Sequence, residues 1–374
     1  MLPFATEPGQ RHYRVAIIGG GPAGSACALA LAQRGVTDIL MLEAGDYSQF
    51  RIGESLPPES RRVLQALGIV QAFMQEGHAP CYGSCSYWGS DKRGYNDTLM
   101  NPLDHGWHLD RCKFDRFMAT QAHNQGVHVV TQARLAASTP TAPAGFLLDV
   151  ALGGPAARRR TRLQVDFVVD ASGTRAVFAR QRGSRKRGTN PLVCLAARFA
   201  ILDREPQRSS LTHLEAVEHG WWYGAHVPDA SVLLAFYTDA ATVKAQRLQH
   251  PQRWMALLEA AVNSARLLHH TAPLSGGILS FPAPSYCLAP LYGAGWLAIG
   301  DAASAYDPIM SQGIHKALAN GVLAAETIST LSGGQRFAHS VATAYQHYVS
   351  MRRYVYGLEQ RWPEAPFWKK QHDD

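Results

Sequence analysis

Apolar positions fall into three patterns along this chain, and each predicts a different kind of element. Short unbroken apolar runs at residues 15–18, 39–42 and 296–299 have the length of strands buried on both faces, 127–131 looks like a strand as well, and 162–169 alternates toward another. Spacings of three and four predict helices over 25–34, 59–74, 110–124, 253–268 and 313–328, the second carrying Val63, Leu64, Leu67, Val70, Phe73 and Met74 on one side. Runs rich in β-formers at 192–201 and 231–238 predict a sheet across 191–240. Residues 78–108, rich in Gly, Tyr and Trp without a helical period, read as strands and loops of a second layer. The stretch 343–368 is helical and aromatic-rich and is expected to pack on the body. With 374 residues, 46% of them hydrophobic, the chain can bury a large core in two units, or in one with an insertion.

The junction of the first strand with the first helix carries chemistry. Strand 15–18 runs into Gly19, Gly21 and Gly24, Gly35 stops the helix, and the next strand ends at Glu43 with Ala44 behind it. At this spacing the first glycine makes the tight turn, the second lets backbone approach a pyrophosphate, and the third lets the helix pack on the strand. Pro22 and Ala23 stand at the helix start, where N–H groups face an anion, and the Glu43 carboxylate suits a ribose hydroxyl. A bound dinucleotide is the expectation.

Charge and cysteine content narrow the field. Lys+Arg number 36 against 29 Asp+Glu, a net charge of +7, and part of the excess lies at 158–162 and 180–187. These runs are expected in solvated loops, with a docking face for an acidic partner as the alternative; they lack the interleaved aromatics of a nucleic-acid surface. No run is long and uncharged enough to span a membrane, and the first residues lack the apolar stretch of a leader, so a cytoplasmic location is expected. Cys27, Cys81, Cys85, Cys112, Cys194 and Cys287 are scattered, and only Cys81 and Cys85 are close, which suits free thiols; no metal site is expected.

Two later sites join the first: Asp170-Ala171-Ser172-Gly173 after strand 162–169, and Gly300-Asp301-Ala302-Ala303 after strand 296–299. In order and spacing the three resemble the FAD-dependent aromatic hydroxylase and halogenase superfamily, over roughly residues 14–330. The resemblance implies an α/β fold. A Rossmann-like FAD-binding domain of glutathione-reductase type would cover 12–77, 106–190 and 281–330, with an inserted mixed β-sheet substrate domain over 78–105 and 191–280 and a short helical C-terminus over 331–374. It also implies that the first site holds the ADP pyrophosphate, that Asp170 and Gly173 lie near the dinucleotide, and that Asp301, after Gly300, binds the ribityl chain. Arg111, with Asp115 and Phe117 following, matches the arginine that the family sets against FAD. Glu54 and Ser55, in GESLPP at 53–58, resemble a loop of the halogenase branch. Pro308, Ser311, Gln312, Gly313 and Ile314, in DPIMSQGI at 307–314, resemble that branch's flavin-contacting loop, whose backbone N–H groups would donate to the flavin edge.

True halogenases also need a lysine downstream of the glycine–glutamate loop; residues 83–91 contain none, and Lys92 is the nearest. Gly220-Trp221-Trp222-Tyr223 is similar to the tryptophan-rich halogenase signature without reproducing it. With GESLPP and DPIMSQGI it looks most like the flavoprotein modifying enzymes of cysteine tryptophylquinone biogenesis. That resemblance implies an FAD-dependent monooxygenase that hydroxylates a tryptophan side chain of a partner precursor protein through a flavin C4a-hydroperoxide. Reducing equivalents would come from NAD(P)H or from flavin reduced by a separate reductase, and no nucleic-acid or membrane partner is expected. Trp221 and Trp222 would line the ring pocket, with a buried strand of the second sheet as the alternative, while His226, His315 and Tyr223 are the candidates for catalysis. The alternatives are a hydroxylase or halogenase of a free small aromatic such as an indole, and a flavin-binding assembly factor for a partner oxidase.

Overall fold

The computed structural model describes residues 3–142, 144–153, 159–188, 191–202, 209–330 and 333–373. Its first layer is the parallel sheet that the short apolar runs build. His12–Ile18 pairs in parallel with Ile39–Leu42 on one side and with Arg159–Asp170 on the other, while His128–Val130 and Trp296–Ala298 extend the sheet outward. Ile18 is level with both Leu42 and Asp170, and Asp170 with Ala298. The glycine turn, Glu43, Ala171 and Gly300 therefore leave the sheet at one carboxyl edge, where open α/β sheets bind their ligands. An antiparallel hairpin, Ala133–Pro140 and Phe146–Leu152, hangs on Arg159–Asp170.

The second layer is a mixed sheet in the order Thr271–Pro273, Leu192–Ile201, Ser231–Asp239, Gly220–Val227, Thr212–Val217, Gly83–Tyr87, Gly94–Asp97. It is antiparallel except where Thr212–Val217 runs parallel to Gly83–Tyr87. Alternation along its strands fills two cores. Trp221, Tyr223 and Tyr237 share one with Ile309 and with Tyr356, Phe367 and Trp368 of the C-terminal helices, Gly334–Gly357 and Pro366–Asp373. Trp222 and Phe236 face the other, against Trp254 and Leu258 of helix Pro251–Ala260.

Several elements differ from expectation, each for a local reason. The first helix spans Pro22–Gln33, because Pro22 occupies its first turn with a preset φ behind an extended Gly21. The span 59–74 is two helices, Ser60–Ala66 and Val70–Met74. Gly68 sits at φ +69° between them, and the Ile69 N–H returns to the Leu64 carbonyl at 3.0 Å, which closes the first helix. Residues 253–268 likewise divide at Ala261, whose ψ of 86° is not helical, and in 343–368 Pro363 and Pro366 interrupt the helical donors. The basic runs lie largely on exposed strand rather than loop, within Arg159–Asp170 and at Arg185–Gly188; Arg158 is outside the described residues. All six cysteines are free thiols, and Cys81 and Cys85 take separate partners, the Gly83 carbonyl at 3.3 Å and His213 Nδ1 at 3.2 Å. Among the described residues no helix is long and apolar enough to cross a membrane.

Candidate functional site

A cleft of about 830 Å³ opens at the carboxyl edge of the parallel sheet and runs to the mixed sheet. At its sheet end Gly19 takes φ +112°, and a Cβ there would lie 2.3 Å from the Ala171 carbonyl oxygen. A Cβ on Gly24 would come 2.0 Å from the Gly19 oxygen, so helix and turn touch through backbone. Gly21 is the opposite case: a Cβ would meet no atom within 4 Å, because this residue borders open cleft. No side chain caps the helix that begins here, which leaves its first N–H groups for a ligand.

Glu43 stands on the cleft wall. One carboxylate oxygen accepts from Gly20 N at 2.8 Å, and the other from Gly45 N at 2.8 Å and Arg51 at 3.2 Å. The first oxygen keeps a lone pair for a hydroxyl. Arg51, which sequence spacing does not single out, spans from Glu43 to Asp115 at 3.1 Å. Buried Asp115 also takes the Arg111 guanidinium at 3.2–3.3 Å, and Arg111 in turn donates to the Ile52 and Gly53 carbonyls at 2.6 and 3.1 Å. One carboxylate thus holds two arginines against the loop at 51–55.

Across the cleft Asp301 is 44% exposed and accepts from Lys316 Nζ at 2.7 Å; the Lys316 side chain is buried, its ammonium 4.5 Å from the Tyr306 ring centre. The loop at 307–314 is anchored from behind. Burial pushes the Asp307 carboxyl up and Arg352 opposes it; that carboxyl accepts from Ile309 N at 3.0 Å, Arg352 Nε at 3.3 Å and Tyr356 OH at 2.9 Å. Tyr356 OH itself accepts from Trp221 Nε1 at 3.0 Å. Ser311 at φ +51° then turns the chain into helix Gly313–Ser329.

The FAD binding domain model matches residues 12–348. The chain belongs to this FAD-binding family. Over 366 residues it is 27% identical to an FAD-dependent oxidoreductase of Marinomonas mediterranea, LodB, covering 96% of this chain and 97% of that one. Further curated relatives, 24–28% identical, are named as halogenases, a chlorinase and a brominase. Among solved structures the fold matches the flavin-dependent halogenase CmlS (TM-score 0.84, 24% identity, 96% of this chain and 67% of that one). It also matches QhpG, a peptidyl tryptophan dihydroxylase essential for tryptophylquinone cofactor biogenesis (TM-score 0.78, 22% identity, 96% and 78%).

The cleft fits FAD, the cofactor of this family: an uncapped helix start and an open Gly21 cradle lie at one end, with carboxylates along the walls. Of the residues expected at the cofactor, Gly19, Gly21, Pro22, Ala23, Glu43, Ala44, Glu54, Ser55, Arg111, Gly173, Asp301, Pro308, Ser311, Gly313 and Ile314 line the cleft. Gly24, Gly300 and Gln312 do not; the first two pack the turn and the start of the first helix together. Asp170 is corrected as well. It is fully buried, and its oxygens accept from Ser172 N, Ser172 Oγ and Ala179 N at 3.0, 2.5 and 2.8 Å, fastening its own turn.

The tryptophan pair also needs correction. Neighbours on a strand face opposite ways, so Trp221 and Trp222 cannot line one pocket. Trp221 is the anchor on Tyr356 and stacks on Tyr237 at 4.1 Å, whereas Trp222 packs edge-on to Trp254 at 5.0 Å. His226 donates from Nδ1 to the Ser209 carbonyl at 3.0 Å, and His315, its pKa lowered by burial, lies 3.1 Å from Ser60 Oγ; neither lines the cleft. Tyr223 does, with its hydroxyl 3.1 Å from Ser55 Oγ. Sequence reasoning missed Tyr237 and Phe281 on the same wall; the β-rich run at 231–238 pointed toward the first, and no named run contains the second. Lys92 is exposed beyond Gly83–Tyr87, and among the described residues no lysine lines the cleft.

Proposed function

We propose that this chain is an FAD-dependent monooxygenase that hydroxylates a tryptophan side chain of a precursor polypeptide on the way to a tryptophylquinone cofactor. The observation that carries the reading is the far wall of the cleft, where Tyr223, Tyr237 and Phe281 offer an aromatic-lined site and where, among the described residues, no lysine lines the cleft. The likeness to a peptidyl tryptophan dihydroxylase over 96% of the chain supports it at the level of fold. When bound, FAD supplies the activation of dioxygen, fed by NAD(P)H or by a separate reductase. The parallel-sheet edge would hold the nucleotide, with helix N–H groups available to the pyrophosphate and Glu43 and Asp301 to ribose and ribityl hydroxyls. Arg111 and Asp115 fix the loop at 51–55, and the anchored 307–314 loop presents backbone to the ring system, so the two walls exclude water from a ring held between them.

The relatives named as halogenases keep a second reading in view, oxygenation or halogenation of a free small aromatic. The FAD-loaded protein, given reduced flavin, dioxygen, bromide and either precursor polypeptide or free tryptophan, separates the readings by product mass. Oxygen gained on the polypeptide alone is the expected result. Bromination, or oxygenation of free tryptophan only, overturns it, and no covalent change in either substrate points to a flavin-binding assembly factor.

A further inference from the structure

Glu54 is the carboxylate on the cleft wall that keeps an unpartnered buried oxygen among the described residues. It is 4% exposed, makes no ion pair among the described residues, and its Oε1 has no hydrogen-bond partner. The nearest cation, Arg111, is taken up by Asp115 and by the Ile52 and Gly53 carbonyls. The backbone beneath is rigid: the Glu54 carbonyl accepts from Leu109 N at 2.8 Å, and Ser55–Leu56 pairs with Trp107–His108. A buried polar atom left without a partner in the protein is costly, and one on a cleft wall is explained by a partner that arrives with a ligand. Besides Arg111, the groups that share its field are Arg198, Tyr223, Tyr237 and Cys194 of the mixed sheet, and Arg198 is itself paired with Asp229.

We propose that Glu54, read from sequence as a cofactor residue, is the hydrogen-bond acceptor for the ring N–H of an indole-type substrate and selects nitrogen heteroaromatics over rings that lack the donor. The inference rests on the function proposed above. Ionised or protonated, a carboxyl group retains an acceptor oxygen, so the contact survives although burial pushes this group up to about 7. The bond tightens as electron density leaves the ring during oxygen transfer, because the indole N–H grows more acidic.

The test uses two probes of the same shape, 3-methylindole and 3-methylbenzofuran, titrated into the FAD-loaded protein and followed by the change in flavin absorbance. Wild type is expected to bind 3-methylindole about tenfold or more tighter than the benzofuran. Glu54→Leu is expected to bring the two affinities level, Glu54→Gln to keep part of the preference, and both to leave the Kd for FAD within about threefold. Should Glu54→Leu not fold, the glutamine variant carries the comparison. Equal binding of the probes by wild type overturns the proposal. So does a tenfold change in FAD affinity with the probe ratio unchanged, which would return Glu54 to the cofactor. Oxygenation of the precursor polypeptide is scored separately: probe discrimination without product supports the role of Glu54 while overturning the proposed function, and product without discrimination does the reverse.

Discussion

The two ends of the cleft are built from different materials. At the glycine turn the surface is backbone: an open Gly21, an uncapped helix and a Glu43 carboxylate whose bonds within the protein already fix its position. At the mixed sheet the surface is side chain: two buried phenols and a carboxyl group with an oxygen left over. Backbone recognises what every dinucleotide shares, and side chains decide what is peculiar to one substrate. Damage at the first end is expected to cost the cofactor, and damage at the second to cost selectivity.

The strongest test of this division sets two neighbouring glycines against each other. Gly24→Val drives a side chain into the Gly19 carbonyl and is expected to lose FAD together with stability, by about 3 kcal/mol or more in urea unfolding. Gly21→Val projects into open cleft; the apo protein should keep its Tm while FAD binding weakens about a hundredfold, near 3 kcal/mol. Asp301→Ala should lose stoichiometric FAD and, because Asp301 is part-exposed and Lys316 keeps the Ser304 carbonyl, cost only about 1 kcal/mol of apo stability. Adding Lys316→Met should restore the Tm but not the FAD; recovery of both would show that Asp301 acts only through Lys316.

The tryptophan pair divides the far end in the same way. Trp221→Phe removes the donor to Tyr356 and is expected to cost about 1–2 kcal/mol and to speed amide exchange at 307–314. Trp222→Phe should cost a similar amount with that loop's exchange unchanged, since its indole N–H has no partner to lose. The smallest effect concerns pH. His108 is buried against Thr212 Oγ1 at 2.9 Å, and burial lowers its pKa to about 4. Below pH 6.5 the unfolded chain takes up a proton that the native protein refuses, so this residue's contribution is full above 6.5 and falls as the pH drops toward 4. Buried His78 and His213, lowered to about 4 likewise, act in the same direction, so apo stability should fall between pH 7.5 and 5.5, and His108→Gln should remove about 1 kcal/mol of that fall.

The strand, turn and helix around Gly19 were legible because the information is local: three glycines and an acid at fixed spacing require one arrangement. The stop at Gly68 was missed, because the apolar period runs on across it and only its φ of +69° divides the two helices. Reading Trp221 and Trp222 as one patch overlooked the alternation of a strand, which the sequence itself carries. What no local pattern contains is partnership across distance. Lys316 beneath Asp301, Arg352 and Tyr356 behind Asp307, and the missing partner of Glu54 are properties of elements brought together by the fold. Asp170 shows the same limit, since its place in a cofactor motif hides that its own turn consumes its oxygens.

Where helix Gly313–Ser329 meets helix Pro22–Gln33, a Cβ on Gly321 would lie 2.6 Å from the Ala23 carbonyl oxygen and 2.7 Å from Cys27 N. Both helices begin on the cleft wall, at Pro22 and at Gly313, and at this crossing they meet through backbone and the methyl group of Ala26, 2.8 Å from the same point, with nothing flexible to give way. Their N-termini are the jaws of a calliper locked at its pivot, held at one separation across the cleft.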